Sequence, residues 1–226
     1  MSHTCSALER LWTEVAMLNK QHFPHNSLMP ILGGGKTSKP KVMFVFINPT
    51  ARNQSAHPDW NGPRFPFIGT RGIWRIFHRA GLFDDELLQY INTNPTWSVA
   101  FTHRVLSFLQ ARGFYLTNIV KWTGADAALP DARKLELFLP LLKKEIEIVQ
   151  PERIVTFGLI PFTALTKQKL KLSEYYDEAM RQKQLKSYDL TIGSTASKVI
   201  PCYFPVGRGD PRKAVEILKL ICSRTP

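Results

Sequence analysis

Three cysteines in 226 residues, Cys5, Cys202 and Cys222, are too few and too scattered for a disulfide framework or a zinc site built on paired Cys-x-x-Cys. Reduced thiols are expected. Long apolar runs are also missing: Val42 to Ile47 falls far short of the roughly 20 residues that span a bilayer. Met1 to Lys20 carries Glu9 and Glu14 and has no signal-peptide core, which predicts a soluble, cytoplasmic protein, nucleoid-associated if the source is bacterial. Acid is scarce, with eighteen Asp and Glu against thirty Lys and Arg, leaving a formal charge of +12. That excess attracts a polyanion, of which nucleic acid is the commonest, although a membrane surface or plain solubility would use it too. No Gly-x-Ser-x-Gly element offers an acyl-transfer nucleophile, and His22 and His25 lack the partner spacing of a metal site. Without a repeat, a composition shift or a long linker, residues 1–226 read as one domain, expected to be a monomer.

What is present alternates between strands and helices. Val42 to Ile47 is an unbroken, partly β-branched apolar run, the pattern of a strand buried on both faces of a parallel sheet. Phe114 to Ile119, Arg153 to Phe157 and Val199 to Tyr203 supply three more strands. Helices are predicted from a Ser6 capping box to about Lys20, over Gly72 to Ala80, from Asp84 or Asp85 to Ile91, over Trp97 to Ala111, and from Leu129-Pro-Asp-Ala132 to Val149. Pro140 predicts a kink or restart in the last of these. Further helices run from Gly158 to Thr166 and from Arg212 to Cys222, whereas Thr50 to Pro66 reads as a polar loop and Lys167 to Lys198 as an irregular, lysine-rich excursion. The expected fold is α/β: a three-layer α/β/α sandwich around a central, mainly parallel, four-stranded sheet. Gly33-Gly-Gly-Lys-Thr37 lacks the first glycine of a phosphate loop, with Pro30 at that place, and precedes its strand, so a solvated loop is the better reading.

Polar residues end the strands: Asn48-Pro49 follows the first, Thr117-Asn118 ends the second, and Thr156-Phe157-Gly158 ends the third. Open α/β sheets bind ligands at such carboxyl ends. Taken in order, these segments resemble the uracil-DNA glycosylase superfamily from about Lys41 to Ile221. Phe46-Ile-Asn-Pro-Thr50, Phe65-Pro-Phe67, Ile73-Trp74 and Ala80-Gly81-Leu82 are similar to the mismatch-specific uracil and thymine glycosylases. Pro66-Phe67-Ile68-Gly69-Thr-Arg-Gly72, Tyr115-Leu-Thr-Asn-Ile-Val-Lys121 and Gln150-Pro-Glu-Arg-Ile-Val-Thr-Phe-Gly158 resemble the thermostable iron–sulfur uracil-DNA glycosylases. The chain departs from both patterns. Trp122 follows Lys121 and no cysteine lies between Cys5 and Cys202, which leaves too few thiolates for a cluster needing about four. Phe46 and Thr50 replace motif glycines, and Phe204-Pro205-Val206 stands where many members have His-Pro-Ser.

The resemblance implies a DNA partner carrying a deaminated or mismatched base, uracil first, and hydrolysis of its N-glycosidic bond without metal or cofactor. In that scheme Asn48 positions the attacking water, and Ile47, Phe67 and Asn118 bind the flipped base. Phe67 supplies a stacking face, and the Asn118 amide offers a donor and an acceptor to the Watson–Crick edge. A core phenylalanine and a strand-ending turn are the plainer readings of those two residues. Gly207 and Arg208 stand where the superfamily inserts a loop into the minor groove, and Lys121, Arg212 and Lys213 are candidate phosphate contacts or ordinary surface charge. His57 and Asp59, in the loop Ser55-Ala-His-Pro-Asp-Trp60, are auxiliary candidates only if that loop folds over the site. Two rivals stand beside the glycosylase: a nucleic-acid-binding member with little or no activity, since Phe204 replaces the anion-stabilising His, and a nucleoside hydrolase or nucleotide-binding protein on the same sheet.

Overall fold

Val42–Phe46 (β2) is buried along its whole length, as an unbroken apolar run requires, and lies in the middle of the sheet. The computed structural model describes residues 3–207 and 209–222. Among these, β2 pairs in parallel with Phe114–Asn118 (β3) on one side and Arg153–Phe157 (β4) on the other, and β4 pairs in parallel with Thr195–Cys202 (β6). These are the four expected strands. The sheet has six, because Gly34–Gly35 (β1) adds antiparallel to β3 and Tyr188–Ile192 (β5) adds antiparallel to β6, giving the order β1-β3-β2-β4-β6-β5.

Both additions correct the sequence reading. The glycine run is no solvated loop. Gly34 and Gly35 are buried against β3, where Gly35 has φ +122° and a Cβ on it would sit 2.1 Å from the Phe114 carbonyl oxygen. Only glycine permits that approach. Likewise, the lysine-rich excursion contains Leu172–Gln182, a helix numbered α7 below, as well as β5.

Alternation along the strands sends two sets of side chains to two helical layers. Phe44, Phe46, Leu116, Val155, Phe157 and Ile200 face one side, packing with Trp74 and Phe77 of Gly72–Arg79 (α2) and with Ile217 and Leu218 of Pro211–Cys222 (α8). Asp85–Thr93 (α3), Val99–Arg112 (α4) and α7 complete that layer. Met43, Val45, Tyr115, Ile154 and Val199 face the other, against His3–His22 (α1), Ala132–Val149 (α5) and Leu159–Thr166 (α6). The α/β/α sandwich is thus as expected. Local signals set the helix ends: Asp84, Ser98 and Asp131 accept backbone N–H groups at the starts of α3, α4 and α5, and Gly113 closes α4 at φ 72°. Two details differ. The first helix begins at His3, upstream of the Ser6 box, and α5 runs through Pro140 without a restart. Among the described residues no helix is long and apolar enough to cross a membrane.

The chain leaves β2 toward β3 but leaves β4 toward β6. Connections departing in opposite directions mark the carboxyl ends of β2 and β4 as the point where open α/β sheets form a ligand-binding crevice.

Candidate functional site

Asn48 stands two residues beyond β2, half-buried, with Pro49 buried behind it. Its amide Nδ2 donates to the carbonyls of Pro49 (3.3 Å) and Ala128 (3.4 Å), which ties it to the loop between β3 and α5. Gly124 of that loop donates to the Pro49 carbonyl and accepts from the Ala51 N–H, so the backbone on both sides of Asn48 is held. With the amide nitrogen engaged, Oδ1 is the atom left to accept a hydrogen bond from water. Ile47 is buried and its carbonyl accepts from the Val120 N–H.

Asn118 ends β3 in register with Phe46, and parallel pairing puts both side chains on the α2–α4 side of the sheet. It is 1 % exposed, and its Nδ2 is buried without a hydrogen-bond partner among the described residues. An unpaired buried donor is costly, about 1–3 kcal/mol, and rare in native proteins. Phe67 packs edge-on to Phe46, with ring centroids 4.6 Å apart, and Phe46 in turn stacks on Phe157 at 4.5 Å. The Phe46 ring, which replaces a motif glycine, therefore fills the space between Phe67 and the end of β4. Phe67 has φ 71°, a conformation that costs a non-glycine residue about 1–2 kcal/mol. Its carbonyl accepts from the Thr70 N–H and hydroxyl and from Trp74 Nε1, and these three donors hold the strained turn.

Lys121 is not a phosphate contact. Its side chain is fully buried beneath the strand end, where Nζ meets Glu145 Oε2 at 2.5 Å and donates to the Asn118 carbonyl at 2.8 Å and to the Thr117 hydroxyl. Glu145 also accepts from Tyr115 Oη (2.8 Å) and Thr117 Oγ1 (2.9 Å). Burial pushes the Lys121 ammonium below its usual range while Glu145 pulls it back, and burial followed by Glu145 holds the Tyr115 phenol well above its own. Trp122, next in the chain, packs 5.8 Å from Phe23 with the Lys134 ammonium 4.6 Å above its indole.

The segment after Asn48 is anchored rather than free. Asn53 is buried, accepts from Ser55 and donates to the Phe65 carbonyl; Gln54 exchanges two hydrogen bonds with the Trp97 backbone. Arg64 reaches across the loop and donates to the carbonyls of Ser55, His57 (3.1 Å), Pro58 (3.4 Å) and Trp60 (2.8 Å). Partial burial lowers its pKa. His57 and Asp59 are exposed on this loop, and neither side chain hydrogen-bonds to Asn48.

At the end of β6, Phe204 is half-buried against the α2-side core, and Gly207 lies exposed at φ 62°. Arg208 lies outside the described residues. Arg212 is exposed, 3.7 Å from Glu216, while the Lys213 ammonium sits over Tyr176 (4.9 Å) and Tyr203 (5.2 Å). A separate recess of about 290 Å³, lined by Arg153, Leu185, Ser187, Lys198 and Ile200 among others, opens at the amino ends of β4 and β6, the opposite pole from Asn48.

The sequence reading named Tyr115 and Thr117 without a role for either and passed over Glu145 and Arg64. Glu145 had a signal. It falls on the face of α5 otherwise formed by Phe138, Leu141, Leu142, Ile146 and Val149, and a carboxylate at a core position implies a buried partner. Nothing in the spacing of Arg64 points to its carbonyl partners. No curated protein matches the chain. Residues 32–218 match the family model of the Uracil DNA glycosylase superfamily, a span running from β1 through most of α8 and including Asn48, Phe67 and Asn118, and the chain belongs to that superfamily.

Proposed function

We propose that the protein is a DNA glycosylase that flips a deaminated base, uracil first, out of the duplex and hydrolyses its N-glycosidic bond. The observation that carries this reading is the pairing of Phe46 with Asn118, which sets two asparagines at the carboxyl ends of adjacent strands. Asn118 keeps a buried amide donor with no partner among the described residues, as a group that hydrogen-bonds a base carbonyl would. Phe67, in a strained turn, offers a stacking surface worth about 1–3 kcal/mol per base. Asn48 Oδ1 accepts a hydrogen bond from the water that attacks the anomeric carbon as the C1′–N bond to the base breaks, and the proton that water releases passes to the departing base anion or to solvent. An amide orients water without ionising, so the water is only weakly activated and the chemical step is slow. The departing base anion would be stabilised by the Asn118 donor rather than by an imidazole, because Phe204 stands at that place.

Two observations favour a second reading, a member that binds DNA but releases base poorly: Phe204 carries no donor, and the Phe46 ring is packed where a flipped base approaches Phe67. Single-turnover release from duplexes containing uracil, hypoxanthine or a thymine mismatch, with an abasic duplex as a binding control, separates the two. Uracil release above the other lesions supports the glycosylase. Binding to all four with no base released would leave only the binding protein.

A further inference from the structure

We infer that the buried Lys121–Glu145 pair is a positioning device that sets the height and tilt of Asn118 at the mouth of the crevice. This rests on the base-reading role proposed above for Asn118. The side-chain amide Nδ2 of Asn118 has no partner among the described residues, so its place is fixed through the backbone that carries it. That backbone is held from beneath. The three protons of the Lys121 ammonium are directed at the Asn118 carbonyl (2.8 Å), the Thr117 hydroxyl and Glu145 Oε2 (2.5 Å). Glu145, on α5, is fixed in turn by Tyr115 Oη and Thr117 Oγ1. The pair thus fastens the last two residues of β3 to a helix on the opposite face of the sheet from the Asn118 side chain. Past the strand end, Ile119 and Val120 donate to the carbonyls of Phe46 and Ile47, so the same anchor reaches the segment leading to Asn48.

Fold stability alone does not call for such a pair. Both side chains are wholly buried, and two ions taken out of water gain little over apolar side chains of the same volume. What an apolar pair lacks is direction: it cannot hold the Asn118 carbonyl at hydrogen-bonding distance. Lys121 and Glu145 touch no substrate in this scheme and act through Asn118.

The test replaces both members, Lys121→Met with Glu145→Leu, so that no lone charge is left buried. Thermal unfolding reports the fold. The Asn118 side-chain amide resonances, assigned by their loss in Asn118→Ala, report position without reference to activity. Single-turnover uracil release at saturating enzyme reports the consequence. The expected result is a cooperative unfolding transition with a midpoint lowered by the loss of the acceptor of Tyr115 Oη and Thr117 Oγ1, shifted or broadened Asn118 amide signals, and release slowed by about 10²-fold, the scale of a misplacement of about 1 Å. Affinity for an undamaged duplex should stay unchanged. Unaltered amide signals, or unaltered release despite altered signals, would overturn the inference. A parent protein that releases no base would refute the glycosylase reading, and the amide signals alone would then decide the positioning role. Should the double variant not fold, Thr117→Val, which removes the hydroxyl bridging Lys121 and Glu145, is scored by the same readouts.

Discussion

Asn48 and Asn118 carry the same amide but are held in opposite ways, and their substitutions should fail differently. Asn48 spends its nitrogen on two protein carbonyls and keeps its oxygen for water; Asn118 keeps its nitrogen unpaired in a buried place. Asn48→Ala should therefore leave duplex affinity nearly intact and slow the chemical step by about 10²–10³, the usual effect of removing one preorganised polar group. Single-turnover release at saturating enzyme isolates that step, and equal rates would pass the water-positioning role to His57 or Asp59. Asn118→Asp replaces a donor by an acceptor, so uracil should lose and cytosine gain, with about 1–3 kcal/mol of discrimination at stake. Wild-type selectivity in that variant would reduce Asn118 to a turn residue. Both asparagines were legible in the sequence because each follows an apolar run whose end is easy to place. Lys121 was not, since a lysine three residues past a strand end reads as surface charge until the helix that brings Glu145 beneath it is known.

At the scale of elements, the loop from Thr50 to Phe67 is the part that departs furthest from its appearance as a polar stretch. Arg64 gathers the carbonyls of Ser55, His57, Pro58 and Trp60, and hydrogen bonds from a charged donor are worth about 1.5–3 kcal/mol each at best, less where the donor is partly exposed. Arg64→Ala should loosen this loop and leave the sheet intact. Amide hydrogen exchange provides the check: residues 55–60 should lose protection while β2, β3 and β4 keep theirs, and an unchanged loop would show that Asn53 and Gln54 suffice to hold it. The elements missed in the sequence share one cause. Strand β5 does alternate, with Tyr188, Leu190 and Ile192 half-buried and Asp189 and Thr191 exposed, but five residues beside a lysine-rich stretch give too short a period to recognise. Helix α7 buries Tyr175, Tyr176 and Ala179 on one narrow face, and β1 consists of two glycines with no side-chain pattern at all.

For the whole molecule, the charge of +12 bears on a polyanion more directly than on any one lesion. Each phosphate neutralised by a lysine or arginine releases condensed counterions, so the logarithm of the binding constant should fall linearly with that of salt concentration, with a slope of about −0.9 per contact on duplex DNA. The structure divides the cations into those that can contribute to this slope and those that cannot. Lys121 is sealed in the core and Lys134 is mostly covered and paired with Asp131 at 2.7 Å, whereas Arg212 is exposed at the start of α8, just past the loop that follows β6, in loose contact with Glu216. Arg212→Ala should therefore weaken binding to uracil-containing and undamaged duplexes by similar factors and reduce the magnitude of the salt slope by about one. Lys213 lies at the same helix start, held over two tyrosine rings, and Lys213→Ala should have the same kind of effect. The measurement is affinity for both duplexes across a salt series. A flat dependence would mean that the positive charge serves something other than the phosphate backbone. A steep dependence that Arg212→Ala and Lys213→Ala leave untouched would place the phosphate track on another face, away from the carboxyl ends of β2 and β3.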